Sequence, residues 1–167
     1  MKIKKVTITQ LDEVFQLIMD CRKSMESEGV FQWTDKYPTL EIFSNDIQKG
    51  NLYGLNKNGK IAGVININEL QDPEYNLVDW ENSDVKIMVI HRLAVHPEYQ
   101  KQGLAKKLMD FAEDHAIKNN YTSIRLDAFS NNPRALRFYE NRDYQRQGEV
   151  FFPGRDLPFY CFEKILK

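Results

Sequence analysis

The stretch Gln100-Lys101-Gln102-Gly103-Leu104-Ala105-Lys106 has the residue types that an anion-binding turn needs. It follows Arg92-Leu93-Ala94-Val95-His96-Pro97, which reads as a strand broken by proline, and it opens a run with helical periodicity. The first turn of a helix leaves N–H groups without intrahelical partners and carries about half a positive charge, so it attracts phosphate. Gly103 removes the Cβ that would hold a diphosphate away, Ala105 is small, and Lys101, Lys106 and Lys107 add positive charge. The competing reading is a tight strand-to-helix turn with solvated lysines. There is no GxxxxGKS or GxxxxGKT, which excludes a P-loop, and no GxGxxG, which speaks against a Rossmann dinucleotide site.

The elements that must position this turn follow from periodicity and punctuation. Ile3–Ile8 reads as a short strand. A Thr9-to-Asp12 capping box opens a helix with Leu11, Val14, Phe15, Ile18, Met19 and Met25 at helical spacing and Gly29 as its stop. Leu40–Lys49 is predicted helical, capped by Thr39 and ended by Gly50. Asn58-Gly59 predicts a type I′ hairpin between strands near Leu52–Asn56 and Ile61–Glu69. Val85–Val95 sets Val85, Ile87, Val89, His91, Leu93 and Val95 on one face and is long enough for a central strand. A helix from Leu104 to about Asn119, a strand at Ser123–Phe129, a helix from its cap Asn132 to about Asn141, and strands near Tyr144–Phe152 and Phe159–Ile165 complete the chain. The order β-α-α-β-β-β-α-β-α-β-β predicts an α/β (α+β mixed) fold, with a mixed sheet covered on both faces and a parallel crossover over 85–129. With no repeat, linker or low-complexity tract, one domain over 1–167 is expected.

The 167 residues suffice for a real core. Lys+Arg at 23 against Asp+Glu at 24 leaves a net charge of −1, which excludes a generic electrostatic nucleic-acid binder. Hydrophobic residues at 42% and aromatics at 12% argue against disorder. Fully apolar runs such as Ile87–Ile90 are too short for a membrane span. The basic start Met1-Lys2-Ile3-Lys4-Lys5 lacks a following apolar region and does not read as a signal peptide. Cys21 and Cys161 lie far apart, which fits a reducing, cytoplasmic setting without a disulfide framework.

Gln100–Ala105 fits the Q/R-x-x-G-x-G/A signature of the GCN5-related N-acetyltransferases (GNAT). Arg92–Pro97 resembles that family's LAVxP strand end. Asn132-Pro133-Arg134-Ala135-Leu136-Arg137-Phe138-Tyr139-Glu140 resembles its N-x-x-A-x-x-F-Y-E helix. The resemblance spans essentially the whole chain. It departs at Asp143, where the family usually has Gly, although Asp tolerates the left-handed region better than most residues. It implies a GNAT-like central sheet splayed between the fourth and fifth strands, with the pantetheine arm of acetyl-CoA lying in the gap. The arm would bond to the main chain over Leu93, Ala94 and Val95. The diphosphate would rest on the amides of Gln102, Gly103, Leu104, Ala105 and Lys106, flanked by Gln100 and Lys101. Asn132 would touch the arm, and Tyr139 would sit near the sulfur.

Acetyl transfer to an amine needs a neutral amine, a stabilised oxyanion and a captured thiolate. An alkyl amine of pKa ~10.4 is under ~0.1% neutral at pH 7, so a base or a desolvating site is required. Tyr139 is the expected acid, against the plain reading of an aromatic on an amphipathic helix. A main-chain N–H near Leu93 is the expected oxyanion donor. For the base, Asp127 and Glu69 stand level beside a water chain with no single base. Asp127 could instead be a structural carboxylate pairing Arg125 or Arg92, and Glu69 a solvated strand end. His91 has a suitable pKa but fits a satisfied sheet histidine.

Between Glu69 and Asp84 the chain has six acids (Glu69, Asp72, Glu74, Asp79, Glu81, Asp84), no Lys or Arg, and Tyr75 and Trp80. This segment reads either as a negative, aromatic mouth that attracts a cationic amine or as a solvated acidic loop. Trp33, Tyr37, Trp80, His91 and Asp127 are the candidate acceptor-binding residues. The aromatic segment 151–160 either closes the pocket or forms a homodimer surface. The expected activity is acetyl-CoA-dependent N-acetylation of a small-molecule primary amine without a metal, and with no nucleic-acid or membrane partner. Alternatives are a non-catalytic acyl-CoA-binding or regulatory module, a peptide N-terminal acetyltransferase, and a nucleotide-binding domain.

Overall fold

A computed structural model describes residues 1–166. Its elements are β1 (Lys2–Lys5), α1 (Leu11–Ser27), α2 (Leu40–Gln48), β2 (Leu52–Lys57), β3 (Lys60–Asn68), β4 (Ile87–Val95), α3 (Leu104–Lys118), β5 (Ser123–Phe129), α4 (Pro133–Asn141), β6 (Gln145–Val150) and β7 (Phe159–Ile165). They follow the expected order and build a mixed seven-stranded sheet, β1-β2-β3-β4-β5-β7-β6, with β4 at its centre. The residues divide into two compact units.

The first unit comprises Met1–Ile67 and His91–Ala112. Asn58 at φ 53° and Gly59 at φ 78° turn β2 into β3, so Lys57 pairs with Lys60. The Thr39 hydroxyl accepts the Ile42 N–H at 3.3 Å and starts α2. Val14, Leu17, Ile18 and Cys21 of α1 and Phe43 and Ile47 of α2 pack with Leu52, Ile61, Val64 and Ala94. Two expectations shift at the N-terminus. The strand ends at Lys5, and Ile8 is exposed in a 3₁₀ turn over Ile8–Gln10. That turn is capped from Thr7, whose N–H donates to Gln10 Oε1 at 3.0 Å, because a Thr-x-x-Gln box precedes the Thr9 pairing.

The second unit comprises Asn68–Ile90 and Glu113–Lys167. β5 and β7 pair antiparallel from Ser123/Ile165 to Phe129/Phe159. β4 and β5 pair parallel only from Ile87/Ser123 to Val89/Arg125. Asp143 takes φ 68° after α4, as its residue type allows. The central strand starts at Ile87, not Val85, which is exposed. Asp84 Oδ1 accepts the Val85 N–H at 2.7 Å and the Lys86 N–H at 3.4 Å, and this local turn withholds both amides from the sheet.

The acidic segment 69–84 is docked on the fold and is not a free loop. Tyr75, in a 3₁₀ turn over Pro73–Leu77, is buried with Val89, Val150 and Cys161. Arg125 Nε donates to Glu163 Oε2 at 2.7 Å, while its other nitrogens reach Gln71 Oε1 at 2.8 Å and the Asn82 carbonyl at 2.6 Å. The guanidinium also covers the Trp80 ring at 4.2 Å. One buried arginine thus fastens both ends of the segment to β5 and β7. Among the described residues no helix is long and apolar enough to cross a membrane.

Candidate active site

In the first unit, β4 leads through His96 and a 3₁₀ turn (Pro97–Tyr99) into α3. His96 Nδ1 accepts the Glu98 N–H at 3.1 Å and Nε2 faces Asp20 Oδ2 at 3.0 Å, so the ring caps the turn and ties it to α1. The Val95 carbonyl accepts the Cys21 thiol at 3.2 Å and Gln100 Nε2 at 3.1 Å. Gln100 therefore braces the turn through its side chain, and the Val95 oxygen is already engaged within the chain. Burial pushes the Cys21 thiol up to about 12, which keeps it inert.

Lys101 at φ 63° and Gly103 at φ 81° both sit in the left-handed region. Lys101, Gln102 and Gly103 are exposed, and α3 starts at Leu104 with Lys107 N–H as the donor to the Gly103 carbonyl at 3.1 Å. The amides of Leu104, Ala105 and Lys106 thus precede the intrahelical ladder. A Cβ on Gly103 would meet nothing within 4 Å, so glycine is required there by backbone conformation and not by crowding. An exposed turn with left-handed residues and a helix N-terminus fits the diphosphate of CoA. Lys106 pairs with Asp110 at 2.7 Å, which tempers its contribution to the local positive charge.

Arg92, which sequence reasoning left as a possible partner of Asp127, has another role. It takes φ 53° inside β4, a conformation that costs a non-glycine residue roughly 1–2 kcal/mol. The kink ends the simple alternation expected for Val85–Val95. Its guanidinium is gripped by Asp46 of α2, Nε to Oδ2 and Nη2 to Oδ1, both at 2.8 Å, and Nη1 donates to the Tyr37 hydroxyl at 2.9 Å. Positive φ at an arginine has no local sequence signal; the buried acid on α2 that holds it is 46 residues away. Tyr37 is exposed, whereas Trp33 is 6% exposed within the α1–α2 core. Trp33 is thus a core residue here, because the aromatic link folds inward before it turns out. His91 lies partly buried on β4 beside the kink.

In the second unit, Asp127 of β5 accepts the Tyr75 hydroxyl at 2.6 Å. Tyr139 of α4 is buried against Tyr144 and Phe162. Burial first, then the Asp127 charge, hold the Tyr75 and Tyr139 phenols above their ordinary range. The Cys161 thiol is pushed up by burial, then by Asp127 and Asp72. Asp127, Tyr75 and Tyr139 therefore share one low-dielectric neighbourhood. Neither arginine considered for Asp127 is idle, since Arg125 is held by Glu163 and Arg92 by Asp46. The sequence places Tyr75 in a candidate aromatic mouth but carries no sign of its bond to Asp127, because only long-range packing brings the segment 69–84 to β5. Trp80 supports it, with its indole N–H donating to the Tyr75 carbonyl at 2.9 Å.

Glu69 is placed elsewhere in this unit. It is exposed and accepts the Tyr121 hydroxyl at 3.1 Å, just before β5 begins. At about 3.3 Å per strand residue, Asp127 lies roughly 13 Å further along from Ser123. Asn132 caps α4, its Oδ1 accepting the Ala135 N–H at 3.2 Å, as expected of its position. Among the described residues no three His, Cys, Asp or Glu side chains gather as a metal site requires.

The comparisons with known proteins match this architecture. The Acetyltransferase (GNAT) family model covers residues 11–144. The chain is 25% identical over 158 residues to YesJ of Bacillus subtilis strain 168, an uncharacterised N-acetyltransferase, spanning 92% of this chain and 83% of that one. A GNAT family acetyltransferase from Streptococcus agalactiae 2603 superposes with a TM-score of 0.84 at 19% identity, covering 99% of this chain and 95% of its own. The PaiA N-acetyltransferase from Thermoplasma acidophilum, solved in complex with coenzyme A, gives 0.71 at 17% identity over 99% and 98%. With the family pattern running from the first residue of α1 to the residue before β6, the chain belongs to the acetyltransferase (GNAT) family.

Proposed function

We propose that this protein is an acetyl-CoA-dependent N-acetyltransferase that moves the acetyl group directly to a primary amine of a small cationic molecule. The observation that carries the reading is the exposed turn at Lys101–Lys106, whose left-handed residues and helix N-terminus suit a diphosphate. Acetyl-CoA supplies the activated acyl group. The amides of Gln102 to Lys106 hold its diphosphate and the main chain around Leu93 receives its arm. Asn132 is the proposed side-chain contact to the arm.

Asp127 is the proposed base, directly or through a water. Its carboxylate is half-buried beside the Tyr75 hydroxyl, and a carboxylate in such a site can take a proton from an ammonium group. Asp127 takes precedence over Glu69 because Glu69 is exposed at the start of β5. Tyr139 is the proposed donor to the departing sulfur. Its raised pKa makes it a weaker acid than an ordinary phenol, so it serves as a hydrogen-bond donor that keeps its proton across the neutral range. Trp80 supplies half-buried aromatic surface, backed by the buried Tyr75, and Asp79 and Glu81 supply exposed negative charge that favours a cation.

The test is thiol release from acetyl-CoA across a panel of polyamines, aminoglycosides, amino acids and peptides. Turnover with a small cationic amine supports the reading. Turnover with peptide N-termini alone would replace the acceptor class. Tight acetyl-CoA binding without turnover on any amine would favour a non-catalytic acyl-CoA-binding module.

A further inference from the structure

We infer that Arg92, clamped by Asp46 and Tyr37, is a positioning residue that fixes the kink in β4 and so aims the Leu93 N–H at the acyl oxygen of the thioester. This rests on the acetyltransferase reading above. A non-glycine residue in the left-handed region persists only where its surroundings over-determine it. Here they do. The guanidinium is forked onto Asp46 by two bonds of 2.8 Å, the geometry that gives charge-assisted pairs both strength and direction. Both side chains are largely out of water, at 11% and 6% exposure.

The third bond brings in the link between α1 and α2. Arg92 Nη1 donates to the Tyr37 hydroxyl at 2.9 Å. Tyr37 is itself fixed by a two-way main-chain pairing with Thr34, at 2.9 and 3.3 Å. The kink is thus anchored at one point on α2 and one on the α1–α2 link.

The residues on either side show what the anchor accomplishes. A positive φ at Arg92 rotates the peptide that follows, whose N–H belongs to Leu93, out of the regular strand alternation. Two residues on, Ala94 packs into the α1–α2 core, and Val95 lies against Gly63, near Leu108 of α3. β4 therefore re-enters the packed structure immediately after the kink, and the disturbance is confined to the Arg92–Leu93 peptide. A donor that must not reorient during reaction needs this kind of rigid support. Lysine in place of Arg92 keeps the charge but loses the fork.

The experiment uses the full chain and acetyl-CoA labelled with ¹³C at the thioester carbonyl, so no acceptor is required. Its bound carbonyl resonance, the CoA affinity and the thermal midpoint are measured for wild type, Arg92→Lys and Tyr37→Phe. In wild type the carbonyl moves downfield on binding. In Arg92→Lys more than half of that displacement is lost, and in Tyr37→Phe a smaller share, while CoA affinity stays within about twofold (under 0.5 kcal/mol). Tyr37→Phe deletes a single hydroxyl and keeps the test open if Arg92→Lys fails to fold. Carbonyl shifts equal to wild type in both variants would overturn the inference. So would a loss of shift that merely tracks falling CoA affinity and thermal midpoint. If acetyl-CoA does not bind wild type at all, the enzymatic reading falls first, and the inference with it.

Discussion

The β4–α3 turn is built from exposed peptide groups, whereas the cluster around Asp127 is built from buried and half-buried side chains. In the turn, Lys101 and Gly103 set the backbone, Gln100 and His96 brace it, and most of its charged side chains point to solvent. In the cluster, Tyr75, Asp127, Tyr139 and Cys161 come from the 3₁₀ turn at 73–77, β5, α4 and β7, and burial together with the Asp127 charge raises the pKa of the other three. A backbone site holds any molecule with the right phosphate spacing and is indifferent to most substitutions. A side-chain site can be retuned one residue at a time. On the proposed reading the first would hold the constant cosubstrate and the second would meet a variable acceptor.

That contrast predicts a clean division of mutational effects, beginning with the side-chain site. Asp127→Asn removes the proposed base and should lower kcat by about 10²- to 10⁴-fold at neutral pH with acetyl-CoA affinity unchanged. A steady-state comparison with direct binding checks this, and an unchanged kcat would return the base role to water. Tyr139→Phe should lower kcat by ~10- to 1000-fold, again without a change in affinity. The phenol is held well above its ordinary range, so the wild-type rate should show no alkaline limb from Tyr139 below about pH 10. A limb below that pH which vanishes in Tyr139→Phe would contradict the assignment.

The same shifts bear on stability. The Tyr75, Tyr139 and Tyr144 phenols are all raised in the folded chain, chiefly by burial. Below about pH 10 both folded and unfolded chains keep these protons, and the stability they contribute is fully present. Above it the unfolded chain loses protons that the folded chain retains, so stability should fall progressively as pH rises. Urea midpoints measured from pH 8 to pH 11 would show the decline, and a flat profile would mean that the three hydroxyls are not desolvated. The smallest effect is expected at a buried polar side chain of the first unit. Asn66 on β3 is wholly buried, and neither polar atom of its side chain has a hydrogen-bond partner among the described residues. Asn66→Leu should therefore stabilise the fold by about 1 kcal/mol, read as a higher thermal midpoint.

What could be read from the sequence was local. Asn58-Gly59, Thr39, Asn132-Pro133 and Asp143 each specify a backbone conformation within a few residues, and all four appear as expected. The turn at Gln100–Lys106 belongs with them, since a proline break, a glycine and the start of a helical period suffice to define it. The missed features depend on distant partners. Arg125 joins Glu163, Gln71 and Asn82 across the chain, and that network, not any pattern in 69–84, decides that the acidic segment docks. Trp33 and Tyr37 lie four residues apart in one aromatic run, yet one is core and the other surface. Alternation assigned Val85–Val95 a single face because nothing nearby announces the kink that Asp46 sustains at Arg92.

The central claim is that a peptide-lined bend grips the cosubstrate, and equilibrium titration of wild type and Gly103→Val with CoA tests it most directly. A valine at φ 81° is strained, and its Cβ would meet no protein atom within 4 Å, so its side chain would enter the space proposed for the diphosphate. The account predicts that wild type binds CoA and that Gly103→Val binds at least about tenfold more weakly (roughly 1.4 kcal/mol) while still folding cooperatively. Equal affinity in the two proteins, or tighter binding of ATP than of CoA by wild type, would contradict it.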